Sequence, residues 1–190
     1  MKIISLTLLL AVVLFASCKK EDSSAAQQPD LNSTSSKIEP GNEEMDVTAL
    51  RSCNHGISTQ TVKELQRAHA ATARYRKIEN AFKDQYADIN VVVPNMGYHF
   101  MKSAIVNATF EIDHPEILVY NKNEDGKFEL VAVEYAVPLD QSSQAPEGFT
   151  GSRDVWERNE GFGLWLLHAW VWKHNPDGVF HDTNPLVQVH

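Results

Sequence analysis

The sequence predicts an α+β domain, with one long N-terminal helix packed on an antiparallel sheet of about four or more strands. A change of period carries that prediction. Before Tyr86 the apolar and semi-apolar residues Val62, Leu65, Ala68, His69, Ala73, Ile78, Phe82 and Tyr86 recur near three and four, with alternating charge between them. After Tyr86 the chain turns to short β-branched and aromatic runs separated by Gly, Pro, Asn and Asp, the pattern of strands and turns.

Ser58-Thr59 stand where an N-cap is expected, so the helix is placed at Gln60 to Tyr86. Met96-Gly97-Tyr98-His99-Phe100 reads as a first strand, in which Gly97 permits a close backbone approach. "PEILVY" (Pro115 to Tyr120) and "FELVAVEYAV" (Phe128 to Val137) read as the next two, joined by a hairpin turn at Asn121 to Gly126. That turn also matches the first six positions of a calcium loop, but the twelfth falls on Ala132, where a bidentate glutamate is needed. A polar loop follows from Leu139 to Arg158. Leu164 to His174 reads as the last strand. A helix competes there, because Leu164, Leu167, His168, Val171 and Trp172 share a helical face, but the tryptophans, the alternation and Asn175-Pro176 favour the strand.

Ahead of this domain, Met1-Lys2, the apolar run Leu6 to Phe15 and Ala16-Ser17-Cys18 have the layout of a secretory signal. The run is too short to cross a hydrocarbon core of ~30 Å as a helix. Phe15-Ala16-Ser17-Cys18 resembles the lipobox of bacterial lipoproteins, which implies cleavage before Cys18 and acylation of that cysteine. Cys18-Lys19-Lys20-Glu21-Asp22 is similar to the tag by which some Gram-negative bacteria send lipoproteins to the cell surface. The expected organisation is therefore a signal peptide (1–17), a lipidated cysteine and disordered tether (18–57) rich in Ser, Gln, Asn, Glu and Pro, and a single α+β domain (58–190). The expected location is the outer membrane, lipid-anchored and surface-exposed, with a periplasm-facing domain as the alternative.

A formal net charge of -8 argues against nucleic acid as a partner. Acylation of Cys18 leaves Cys53 without an intrachain partner, so the core and not a disulfide must hold the fold. Cys53-Asn54-His55 offers a thiol beside a base, but just past a tether the pair is not preorganised.

The chemistry-bearing candidates are His99, Glu134, His168 and His174. In Phe128 to Val137 alternation puts Phe128, Leu130, Ala132, Glu134 and Ala136 on one face and Val131, Val133, Tyr135 and Val137 on the other; both are apolar, so Glu134 is expected to be buried. A buried carboxylate needs a cationic partner, a proton or a bound cation. An ion pair with Arg or Lys, or a place at a sheet edge, is one outcome. A shared pocket with His99 and His168 is the other. His168 and His174 point to one side of a strand, yet six residues at ~3.3 Å set them ~20 Å apart, too far to share one ion. His174 is therefore assigned to the turn at the strand end. Two histidines and a carboxylate with open positions suit zinc, iron or manganese, which makes a small-molecule or metal ligand the expected partner. The readings carried forward are a ligand-binding lipoprotein with a divalent-metal site, a metal-dependent enzyme on the same residues, and an adhesive or structural module with no site.

Met96-Gly97-Tyr98-His99, "PEILVY", "LVAVEY" and "LHAWVWKHNPDGVF" with Asn184-Pro185 resemble an uncharacterised family of secreted bacterial proteins carrying GYH and LHxWxWxHNPxGxF motifs. The resemblance covers roughly residues 65–187 and implies a small extracytoplasmic domain, with His99, Glu134, His168 and His174 as the positions to watch.

Replacing Cys18 by Ala is expected to abolish incorporation of radioactive palmitate and to release the protein from membranes. Labelling that persists in the variant would place the acyl group elsewhere.

Overall fold

The computed structural model describes residues 56–189. The signal, Cys18, the tether up to residue 55 and with it Cys53-Asn54-His55 lie outside the described residues; Ile57, at the expected end of the tether, packs against the core. Among the described residues, no helix is long and apolar enough to cross a membrane.

Helix α1 (Thr59–Thr72) begins at Ser58, whose hydroxyl accepts the Thr61 amide at 3.0 Å. It does not run on to Tyr86, and the expectation of one long N-terminal helix is corrected. A 3-10 turn (Ala73–Arg76) and an extended Lys77 separate α1 from the short helix α2 (Ile78–Lys83). The reason lies in the carbonyls. The Arg74 carbonyl accepts the Asn80 side-chain amide at 2.8 Å, and the Tyr75 carbonyl accepts the Tyr120 hydroxyl at 2.7 Å. Carbonyls turned to those side chains do not extend the helical ladder. Helix α2 then closes with paired bonds from Gln85 N to Phe82 O (3.1 Å) and from Tyr86 N to Ala81 O (3.0 Å), with Gln85 in the left-handed region at φ 72°. Glycine usually marks that position; here glutamine occupies it, so the sequence carries no stop signal.

Six antiparallel strands form one sheet, in the order β1-β2-β3-β4-β6-β5. They are β1 (Ala87–Val93), β2 (Gly97–Met101), β3 (Ile117–Lys122), β4 (Phe128–Pro138), β5 (Glu157–Asn159) and β6 (Leu164–Ala169). Strands β2, β3, β4 and β6 fall on the four expected runs, while β1 and β5 are additional. The last strand stops at Ala169 rather than His174. Beyond it the Trp170 amide bonds to the Val179 carbonyl, and the Trp172 and Lys173 amides both bond to the Val131 carbonyl.

That carbonyl is available because β4 bulges. Val119 pairs with Ala132 but Tyr120 pairs with Leu130, which leaves Val131 as an extra residue. The bulge also corrects the alternation read from sequence. Ala132, Glu134 and Ala136 share a face with Val119, His99 and His168, whereas Leu130 and Phe128 swing to the opposite side. There Phe128 packs edge-on against Tyr98, Phe100 and Tyr120.

The face bearing Phe100, Tyr120 and Tyr135 is covered by the helical segment and by the loops around Phe110 and Phe149. Phe82 of α2 lies 5.8 Å from Phe100, and Phe110 and Phe149 pack edge-on against Tyr135 at 4.6 and 5.6 Å. Glu64 of α1 ties one loop down by accepting the Thr150 amide (2.7 Å) and hydroxyl (2.6 Å). Leu65, Leu118, Tyr120, Tyr135 and Leu167 are fully buried in this layer. The opposite face carries the site beside the fully buried Val119, Ala132 and Ala136.

Gly97 is required where it stands: its φ is 124°, and a β-carbon would collide with the Tyr120 carbonyl across the β2–β3 pair. Gly97→Ala is expected to cost about 3 kcal/mol in urea unfolding. Gly126→Ala, at φ 73° with open space around it, is expected to cost about 1 kcal/mol. Equal losses would show that space, rather than dihedral angle alone, plays no part at Gly97.

Candidate metal centre

Three strands bring one ionisable side chain each to the face opposite the helices. Glu134 of β4 lies directly opposite His168 of β6 in the register, and His99 of β2 reaches the same side through its pairing with Val119. Relative exposures are 4% for His99, 2% for Glu134 and 4% for His168. His99 Nε2 stands 3.8 Å from Glu134 Oε2, and His168 Nδ1 stands 3.5 Å from Glu134 Oε1. One ligating atom from each residue can be chosen so that all lie within 4.8 Å of one another. Ligands bound ~2.1 Å from a tetrahedral ion sit ~3.4 Å apart, so the cluster is close to a coordinating arrangement.

His99 is oriented by β1. Between the pairs Asp88–Phe100 and Val92–Tyr98, β1 spends Ile89, Asn90 and Val91 against the single residue His99. Asn90 turns the chain at φ 56°, its amide bonded to the Asp88 carboxylate at 2.7 Å. The irregularity brings the Val91 carbonyl to His99 Nδ1 at 3.1 Å. A carbonyl only accepts, so this bond fixes the proton on Nδ1 and leaves the Nε2 lone pair on the side of Glu134. Metal-binding histidines are held in the same way.

Burial sets the charges. It pushes the Glu134 carboxyl up to about 8, with Glu157 adding a smaller push in the same direction and no positive group opposing it. Burial pushes His168 down to about 3, reinforced by His99, and it lowers His99 despite that ring's bonds to the Val91 and Gly97 backbone. At neutral pH the metal-free cluster is therefore a protonated carboxyl between two neutral imidazoles. The His–Glu contacts are not ion pairs in that state. His168 Nε2 is buried with no hydrogen-bond partner.

A buried glutamate just before β3 shows the contrast. Glu116 is also pushed up by burial, to about 7, but its Oε2 accepts the Ala136 amide at 3.1 Å. It has a structural bond; Glu134 has two potential ligands.

The cluster forms part of the lining of a cavity of about 210 Å³. Its walls are Ile89, Val91, Val93, Met96, Met101, Ile117, Leu164 and Leu166, and Phe162, Glu157 and Asn159 complete the lining. Phe162 is 57% exposed and Glu157 is exposed, so these side chains belong to the mouth. Sequence reasoning missed Glu157, because a three-residue strand inside a polar loop leaves no readable period.

The buried His99-Glu134-His168 group could hold a metal ion. His174 is not part of it: the side chain is exposed, and its carbonyl accepts the Asn184 side-chain amide at 3.0 Å, beside the turn in which the Gly178 amide bonds to the Asn175 carbonyl. Asn123 Oδ1 accepts the Asp125 and Lys127 amides, which uses it as a turn former within Asn121 to Gly126. His69, on α1, stacks on Trp172 at 3.8 Å, and His114 pairs with Glu111 on the surface.

Comparison with family models, with curated proteins and with solved structures gave no match.

The ordinary carboxyl value is 4.5, so the unfolded chain releases the Glu134 proton while the fold retains it up to about 8. The stability from this group is full below 4.5 and is lost as pH rises towards 8. Glu134→Gln, which cannot ionise, is expected to unfold at higher urea than the parent at about pH 9 in the presence of chelator, and at similar urea at about pH 4. A variant less stable than the parent at the higher pH would mean that Glu134 ionises in the fold without penalty.

Proposed function

We propose that this domain is a ligand-binding divalent-metal centre, carried by an exported protein anchored to the outer membrane through Cys18. The observation that carries the metal is the uncompensated burial of Glu134. A carboxyl at the middle of a sheet, facing two imidazoles and no ammonium or guanidinium, has no structural reason to be there, whereas a cation supplies the missing positive charge. His99 Nε2, His168 Nδ1 and the Glu134 carboxylate are the ligands. Two imidazoles with one carboxylate favour zinc or ferrous iron over manganese. Three protein ligands leave coordination positions open towards the cavity, as a centre that meets a small molecule requires.

The anchor rests on sequence alone, on the apolar run ending in Ala16-Ser17-Cys18 and on the polar stretch between Cys18 and the domain. That stretch serves as the tether between lipid and domain.

The domain refolded with zinc or, anaerobically, with ferrous iron is expected to retain about one equivalent after desalting, with affinity falling as pH drops because the ligands must shed protons. His99→Gln and Glu134→Gln are expected to lose the metal, and His174→Gln to keep it. Uptake below a fifth of an equivalent by the folded parent, or equal retention by all three variants, would remove the metal from this reading.

A further inference from the structure

We propose that the cavity beside His99, Glu134 and His168 binds a small monocarboxylate with an apolar tail, its carboxylate on the metal and its tail against Val91, Met96, Ile117 and Leu164. The inference rests on the metal reading above and names its ligand class.

Charge supplies the first reason. A divalent ion held by one carboxylate and two neutral imidazoles keeps one positive charge in a buried place, and a single anionic donor neutralises it. The walls supply the second. Beyond the three ligands the interior lining is aliphatic or thioether side chains, and polar groups return only with Glu157 and Asn159. One charged end and an apolar remainder is the chemistry that fits.

Size and mouth narrow the class. A dry cavity of ~150 Å³ accepts benzene, so a volume of about 210 Å³ corresponds to roughly eight heavy atoms, the count of hexanoate. Glu157 is exposed and lines the cavity, near enough to add to the push on Glu134, and its carboxylate repels a second carboxylate on a ligand.

Calorimetric titration of the zinc-loaded full domain with acetate, butyrate, hexanoate, octanoate and adipate tests this. Affinity is expected to rise roughly fourfold per buried methylene, about 250-fold over the four that separate acetate from hexanoate, and to level off at octanoate. Adipate is expected to bind at least about tenfold more weakly than hexanoate. The metal-free domain is expected to bind none of them. A flat series, adipate equal to hexanoate, or equal binding without zinc overturns the monocarboxylate while leaving a zinc-retaining centre intact. A folded domain that retains no zinc overturns both readings at once.

Discussion

The desolvation of one carboxyl governs this structure. Glu134 sits in the middle of β4, paired on one side with Ile117 and on the other with His168, and its chain neighbours Val133 and Tyr135 are fully buried on the opposite face. The Tyr135 hydroxyl is tied to the Ile112 carbonyl at 2.8 Å. Glu134 therefore cannot reach water by a local swing, because moving its backbone drags the aromatic core with it. Its charge has to be managed where it stands, by a proton or by a cation.

The two faces of the sheet divide the work. On the helical side, aromatic rings and short clamps such as Glu64 to Thr150 fill the space and satisfy the polar groups. On the other side β1 and β5 supply lining to a cavity that the side chains leave unfilled. A fold with one face filled by aromatic packing can tolerate an energetically costly cluster on the other. That separation is common where a rigid scaffold carries a site.

Much of the candidate site was legible because its residue types are few and strand geometry is strict. Glu134 stood out as a charge within an apolar run, while His174 falls outside the site for a reason the sequence did not show, because β6 ends at Ala169 and no straight strand joins the two histidines. What could not be read depends on backbone bonds between distant segments. The helix breaks because Asn80 and Tyr120 take the carbonyls of Arg74 and Tyr75, and it ends on a glutamine in a glycine's usual place. Phe128 and Leu130 changed face because Val131 bulges, and nothing in "FELVAVEYAV" marks that residue as extra. The orientation of His99 comes from a peptide carbonyl, which has no sequence identity.

The irregularity in β1 has a second consequence, at the level of association between molecules. β1 is one margin of the sheet, and a straight margin presents a row of unpaired amides and carbonyls on which another chain can grow. Here the strand is broken in register at Ile89 to Val91, and the Val91 carbonyl is turned to His99. The other margin, β5, is three residues long. Neither offers a continuous template, so the detour that aims an imidazole also helps to keep the sheet finite.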